Sequence, residues 1–108
     1  MKLIVAIVHD SDSVKLMAAL VDAGFQVTKL ATSGGFLRAG NTTLMIGTEE
    51  SRVDELLDLI KQNCEAREEI LSPAMPIGNS DAFVTMPIEV KVGGATVFVL
   101  PVEQFLKY

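Results

Sequence analysis

The run Leu3-Ile4-Val5-Ala6-Ile7-Val8 is apolar throughout and rich in β-branched residues. Such a run is typical of a strand that is covered on both faces or lies centrally in a sheet. Asp10-Ser11-Asp12-Ser13 follows and offers side-chain oxygens for a helix N-cap, with acids placed favourably against the helix dipole. The opening of the chain therefore predicts an inner strand that leads directly into a helix.

The first predicted helix carries an apolar stripe at the spacing i, i+3, i+4, i+7, which we expect to face the core. Its members are Val14, Met17, Ala18 and Val21. Leu20 widens this stripe, and Gly24 ends the helix as a C-cap glycine. A second strand then begins at Phe25 and reaches about Thr32.

A second set of strand and helix follows. The segment from Thr42 to Gly47 predicts a third strand, and Ser51 with Asp54 fits the capping-box spacing at the start of a second helix. The apolar stripe of that helix consists of Val53, Leu56, Leu57 and Ile60. The helix is therefore expected to run to about Asn63.

The last part of the chain is less regular. It predicts a short strand near Ile70-Leu71 and then a long proline-containing loop, of a length that is uncommon in a small domain and usually functional. Ile88 to Val92 alternates as a half-buried strand, and Gly93-Gly94 fits a two-residue hairpin turn. Ala95 to Val102 is the last strand, and its Pro101 favours a sheet edge.

These elements predict a single α+β domain over residues 1–108 with the split βαβ, or ferredoxin-like (βαββαβ), plan and one extra C-terminal hairpin strand. Two helices on one face of the sheet leave its other face uncovered. Because the strands are apolar at both alternating sets of positions, that second face must be hidden, and self-association is the simplest way to hide it.

Composition excludes several classes of function. A net charge of −5 argues against a nucleic-acid polymer as partner, because binding one requires clustered cations. The apolar runs are far shorter than the roughly 20 residues that cross a bilayer, so no membrane association is expected. The single cysteine, Cys64, fits a reducing compartment and a structural role. Together with the absence of a signal-peptide cleavage site, this predicts a cytoplasmic protein without a metal site.

The most specific local feature is the glycine-rich segment from Ser33 to Asn41. Its glycines let backbone N–H groups converge on an anion, and Arg38 adds a positive charge. Phe36 offers a ring for stacking, and Asn41 a carboxamide that can read an adenine edge. The same composition also suits an ordinary hairpin loop, and it matches neither a Walker loop nor a dinucleotide-binding turn.

Catalytic residues are not evident. His9 lies beside Asp10 and Asp12, where a surface histidine paired with carboxylates is a simpler interpretation than a general base. No nucleophile, base and orienting group can be assembled, so the sequence predicts a binding protein rather than an enzyme.

The segment Thr28-Lys29-Leu30-Ala31-Thr32-Ser33-Gly34-Gly35-Phe36-Leu37-Arg38-Ala39-Gly40-Asn41-Thr42-Thr43 resembles the PII-like cyclic di-AMP receptors of Gram-positive bacteria. The opening strand, the helix start at Arg52-Val53-Asp54-Glu55 and the run from Gly93 to Val102 resemble them too. The resemblance implies a homotrimer of ferredoxin-like subunits that binds cyclic di-AMP between neighbours, without a further cofactor, and signals to a downstream protein that the sequence does not identify.

The resemblance also implies a set of ligand-binding residues. They are Thr28, Gly35, Phe36, Leu37, Arg38, Asn41, Gly47 and Phe98. Two further positions depart from the family: Gln26 stands where an arginine is familiar, and Lys107 where a glutamine is familiar. Gln26 removes a positive charge beside the ligand, and Lys107 restores one from the C-terminal segment.

Other functions remain open from sequence. The chain fits a PII-like regulatory or structural trimer that acts by protein contact and binds another adenine nucleotide or none. A small enzyme with an acidic site is a further alternative. Titration with cyclic di-AMP, cyclic di-GMP and ATP separates the first two hypotheses, and turnover of a bound nucleotide identifies the third.

Overall fold

The computed structural model describes the backbone of residues 1–30, 40–71, 74–76, 83–85 and 88–108, and the side chains of residues 1–30, 40–67 and 93–108. Its elements in chain order are β1 (Lys2–His9), α1 (Asp10–Asp22), β2 (Val27–Lys29), β3 (Asn41–Thr48), a 3₁₀ turn (Glu50–Arg52), α2 (Val53–Cys64), β4 (Arg67–Leu71), β5 (Ala74–Pro76), β6 (Phe83–Thr85), β7 (Ile88–Val92) and β8 (Ala95–Pro101). Neither described helix is long and apolar enough to span a bilayer.

Four strands form the main sheet in the order β2-β3-β1-β8, and every neighbouring pair is antiparallel. This order, with α1 after β1 and α2 after β3, is consistent with a ferredoxin-like α+β fold. The prediction that the opening strand lies inside the sheet is confirmed. The strands β4 and β7 form a separate two-stranded sheet, and β5 pairs with β6 in another.

The hydrophobic core lies between the main sheet and the two helices. Alternate residues of a strand point to one face, and those of β1 and β3 that face the helices are almost completely buried. The core residues are Ile4, Ala6, Val8, Leu44 and Ile46 from the sheet, and Leu16, Leu20, Leu56, Ile60 and Cys64 from the helices. The stripe predicted for α2 is confirmed at Leu56 and Ile60, which are buried, and at Val53, which packs against the core. Cys64 is almost completely buried, which fits the structural role predicted for it.

The face predicted for α1 is only partly correct. Leu20 is buried and Met17 packs against the core as predicted, but Ala18 is exposed. Val14 and Val21 are 77% and 60% exposed, whereas Leu16 is fully buried beside Leu20. Asp12 is buried on the same side of the helix as these leucines, because it forms an ion pair with Arg67 from β4. The apolar pattern does not identify this face, because one of the positions on it is the polar residue Asp12.

The end of α1 follows the predicted glycine cap. Gly24 has φ +89, its N–H donates to the Val21 carbonyl, and the Phe25 N–H donates to the Leu20 carbonyl. This pair of bonds is the Schellman motif, which satisfies helix-end carbonyls. The helix therefore ends where the sequence predicts, although the regular part of the following strand is only three residues long.

The capping box predicted for α2 is not formed. A 3₁₀ turn precedes the helix, and the N-cap residue, Arg52, makes no side-chain cap hydrogen bond. Its guanidinium instead donates to the Ala23 carbonyl at 2.7 Å, lies 4.0 Å from the centre of the Phe25 ring and forms an ion pair with Glu55. The start of α2 is thus fixed by contacts to the end of α1.

The predicted Gly93-Gly94 hairpin is also wrong. β7 pairs with β4, and β8 pairs with β1, so the two glycines carry the chain from one sheet to another. Both have positive φ, as the sequence predicts. Two glycines are compatible with a hairpin turn, but they do not determine which strands pair. In the structure β8 pairs with the free edge of the central strand β1.

Candidate ligand-binding site

The candidate site is built on the face of the main sheet that points away from the helices. Directly opposed residues in an antiparallel sheet share a face. In β1 this face presents half-buried Leu3, Val5 and Ile7, and in β8 it presents Phe98 and Leu100, which are 49% and 43% exposed. Within the described residues both helices pack on the opposite side, so neither helix covers this apolar face.

One row of residues crosses this face from edge to edge. Thr28 pairs with Met45, Met45 with Val5, and Val5 with Phe98. Three strand spacings separate the two ends of the row, a distance of about 14 Å. Thr28 and Phe98 therefore lie on the same face but at opposite edges, and one chain does not bring them together.

Gly47 lies on the same face, two residues along β3 from Met45 of this row. Its φ is not positive, and a Cβ added there would meet only the Met1 sulfur, at 3.9 Å. Among the described residues, neither backbone conformation nor packing requires glycine at this position. The missing side chain leaves room for another molecule to approach the backbone. Gln26 is exposed just before β2, next to this position.

Asn41 lies towards the other end of the face, as the first residue of β3 opposite His9. Four residues separate it from Met45, a distance of about 13 Å along the strand. It is half-buried, and no described residue makes a hydrogen bond to its carboxamide. Its donor and acceptor are thus available to a ligand.

The remaining predicted residues fall into two groups. Gly35, Phe36, Leu37 and Arg38 lie outside the described residues. Lys107 is exposed in the C-terminal segment after β8, where Phe105 and Tyr108 also expose their rings. The structure therefore gives the positions of Thr28, Asn41, Gly47 and Phe98 on one face and leaves the other assignments as predictions.

Sequence analysis missed two polar contacts beside the site. The Thr42 hydroxyl donates to the Asp10 carboxylate at 2.5 Å, and Arg67 donates to the Asp12 carboxylate at 3.3 Å. The sequence predicted that both acids favour the N-terminus of α1 and pair with His9. No local signal identifies their partners, because those lie 32 and 55 residues away in the sequence.

A cleft of about 310 Å³ lies on the helix side of the sheet and is distinct from this face. It is lined partly by Ile60, Cys64, Gly94 and Val97. Burial raises the pKa of the Cys64 thiol to about 11, with a further contribution from the nearby negative charge of Asp12. A thiol that stays protonated is a poor nucleophile, so this cleft offers no evident chemistry.

Two comparisons with known proteins relate the whole chain to proteins already described. A family model described as "Cyclic-di-AMP receptor" matches residues 1–108. The chain is also similar to a solved structure described as a functionally unknown protein from Pediococcus pentosaceus ATCC 25745, with 48% sequence identity and a TM-score of 0.79. That match covers 99% of this chain and 96% of the other. The chain belongs to the cyclic-di-AMP receptor family.

Proposed function

We propose that this protein is a non-enzymatic receptor that binds cyclic di-AMP in clefts between the protomers of a homotrimer. The observation that carries this proposal is the match of the receptor family along the whole chain, residues 1–108. The whole chain acts as one domain in this proposal, with cyclic di-AMP as its only small-molecule partner. Its place of action is the cytoplasm.

The sheet geometry supports a cleft that two protomers share. Thr28 and Phe98 lie on the same face at opposite edges, about 14 Å apart within one chain. A ring of copies that places the β2 edge of one protomer near the β8 edge of the next brings the two residues together. The same arrangement covers the apolar face that the helices leave open, whose burial favours association.

Each proposed ligand residue has a separate physical role. Asn41 hydrogen-bonds an adenine edge, and Thr28 donates its hydroxyl. Gly47 leaves room for close approach of the ligand to the backbone. The apolar or stacking walls are Phe36, Leu37 and Phe98, the phosphate donors are the backbone N–H groups from Gly35 to Arg38, and Gln26 and Lys107 adjust the charge around the ligand.

Signalling requires that ligand binding change a surface that a protein target recognises. The segment between α2 and β8 lies outside the main sheet, and its β4 and β7 pair only with each other in the described residues. A ligand shifts the position of such a segment only if it binds one arrangement more tightly than another. In our proposal this segment carries the changed surface.

Calorimetric titration of the full chain with cyclic di-AMP, cyclic di-GMP and ATP tests the proposal. We expect saturable binding of cyclic di-AMP at one molecule per protomer and at least about tenfold weaker binding of the other two. Absence of heat and of thermal stabilisation with cyclic di-AMP would contradict it. Association into trimers without nucleotide binding would instead support a regulatory trimer that acts by protein contact.

Replacing Asn41 tests its assigned contact. Asn41→Ala leaves the adenine edge without its hydrogen-bond partner. An unsatisfied polar group costs about 1–3 kcal/mol of binding free energy, so we expect roughly 5- to 150-fold weaker binding of cyclic di-AMP. Asn63→Ala is the matched control, because Asn63 is a half-buried asparagine on α2 that bonds only the Leu59 carbonyl. Equal affinities of Asn41→Ala and the wild type would remove Asn41 from the site.

A further inference from the structure

Asp10 lies at the junction where β1 ends and α1 begins. Its N–H donates to the Gly40 carbonyl at 2.8 Å, and its carboxylate accepts a hydrogen bond from the Thr42 hydroxyl at 2.5 Å. Its own carbonyl accepts a hydrogen bond from the Ser13 hydroxyl at 2.8 Å. Asp10 therefore binds the residue before Asn41 and the residue after it.

Asn41 is restrained from three directions as a result. Gly40 and Thr42 are held by Asp10, and Asn41 itself pairs with His9 at the end of the β1–β3 ladder. Gly40 has φ +90, and no atom of the described residues lies within 4 Å of an added Cβ, so backbone conformation is the reason that the structure gives for glycine there. The residue before β3 is therefore a glycine with a flexible backbone, and the hydrogen bonds of Asp10 hold the start of β3 in position.

The side chain of Asp10 does not serve its own helix. The N-cap of α1 is His9, which makes no side-chain cap hydrogen bond, and the Asp10 carboxylate reaches across to β3 instead. Asp10 is exposed, whereas Thr42 is only 3% exposed. A charge-assisted hydrogen bond to a buried hydroxyl is stronger and shorter than a neutral one, which suits a restraint on position.

We propose that Asp10 is a positioning residue for the adenine-reading end of the ligand site, and that it acts by holding Asn41 in the geometry that the base requires. The inference rests on the proposed binding of cyclic di-AMP. A ligand group held in place before binding loses less freedom when the ligand arrives, and affinity rises accordingly. Because Asn41 distinguishes adenine from guanine by its donor and acceptor, Asp10 also contributes to base selectivity.

The test compares three variants by calorimetry with cyclic di-AMP and cyclic di-GMP. Asp10→Ala removes the acceptor, and we expect about 3- to 10-fold weaker binding of cyclic di-AMP with a smaller preference over cyclic di-GMP. Asp10→Asn keeps an oxygen that accepts from Thr42 and should stay within about twofold of the wild type. Asp22→Ala removes an exposed acid at the other end of α1 and should change nothing.

A double-mutant cycle separates positioning from a general loss of stability. If Asp10 acts through Asn41, Asp10→Ala has no further effect on affinity or selectivity in a protein that already carries Asn41→Ala. Additive effects, or an unchanged base preference in Asp10→Ala, would overturn the inference.

Amide hydrogen exchange at Asn41 and Thr42 separates this inference from the proposed function, because it needs no ligand. Faster exchange in Asp10→Ala than in Asp22→Ala supports the restraint, and equal exchange overturns it. If the wild type binds no cyclic di-AMP while exchange still responds to Asp10→Ala, the proposed function fails and the restraint on Asn41 stands alone.

Discussion

Gly93 occupies a position where a side chain has no room. Its φ is +78, and an added Cβ would lie 2.7 Å from a guanidinium nitrogen of Arg67 and 2.8 Å from the Glu65 carbonyl oxygen. The second of these atoms belongs to the backbone and cannot swing aside. Next to it, the Gly94 N–H donates to the Cys64 carbonyl. The two glycines therefore hold the β7–β8 connection against the end of α2.

Gly93→Ala should consequently destabilise the protein more than Gly40→Ala. Both glycines have positive φ, which costs alanine about 1–2 kcal/mol, but only Gly93 has atoms within 3 Å of the added Cβ. We expect about 2–4 kcal/mol of lost unfolding free energy for Gly93→Ala in urea titrations. Equal losses in the two variants would contradict the close contact at Gly93.

Cys64 makes the free energy of unfolding depend on pH in the alkaline range. The folded state raises the pKa of its thiol from 9.0 to about 11, mainly by burial and secondly by the charge of Asp12, while Lys15 and Arg67 oppose the shift. Between these values the unfolded chain loses the thiol proton and the folded chain keeps it, so stability falls as pH rises from about 9 to about 11.

The contribution is measured by comparison with Cys64→Ala. The wild type should lose up to about 2–3 kcal/mol more than the variant across this interval in urea titrations at successive pH values. Using the difference between the two proteins removes the titration of lysines and tyrosine, which both share. Parallel stability curves would contradict the raised pKa of Cys64.

At the scale of single residues, the sequence predicts whether a residue is buried better than it predicts which distant residue it contacts. Cys64 and the glycine at the end of α1 were both predicted correctly, because their local patterns are sufficient. The roles of Asp10 and Asp12 were not predicted, because their partners Thr42 and Arg67 come from distant parts of the chain. Long-range polar contacts of this kind leave no periodic signal.

At the scale of elements, α1 shows how an apolar pattern fails. Valine and alanine populate both sides of this helix, and the side that packs is defined by Leu16 and Leu20 with Asp12. In α2 the polar residues are confined to one side, and the predicted stripe is confirmed. Patterning determines a helix face only when polar and apolar residues separate cleanly.

The orientation of α1 can be tested by two truncations. Leu16→Ala should lower the free energy of unfolding by about 2–5 kcal/mol, because Leu16 is fully buried in the core. Val14→Ala should change it by less than about 0.5 kcal/mol, because that side chain is 77% exposed. Urea titration measures both, and the reverse order would restore the orientation predicted from sequence.

At the scale of the whole molecule, the main sheet has an apolar face that neither helix covers. The inference of this face from sequence is confirmed by the positions of Val5, Phe98 and Leu100 on the side away from the helices. The ferredoxin-like plan was predicted from strand and helix order. The pairing of β8 with β1 and of β7 with β4 was not predicted, because the sequence indicated a hairpin between β7 and β8.

A single charged residue on this face should weaken association between copies of the protein. Leu100→Asp places a carboxylate on the face, and we expect the proposed trimer to dissociate at micromolar concentration in sedimentation equilibrium, because burying an unpaired charge is costly. Val14→Asp is the control, since Val14 is exposed on α1 outside the face. A Leu100→Asp protein that remains as associated as the control would exclude this face from the interface.

The ligand site belongs to the same scale, because its residues lie at two edges of one sheet. Sequence resemblance supplied the residues, and strand register gave Thr28, Gly47 and Phe98 a common face. The register separates Thr28 and Phe98 of one chain by about 14 Å across the sheet. This separation supports the proposal of a site shared by two copies, which the family resemblance also implies.

A crystal structure of the protein grown with cyclic di-AMP tests this account most directly. We predict density for one ligand per protomer, located between two copies, in contact with Thr28 and Gly47 of one copy and with Phe98 of the neighbouring copy. Density for the ligand enclosed within a single protomer, or bound in the cleft between α2 and β8 on the helix side, would contradict it.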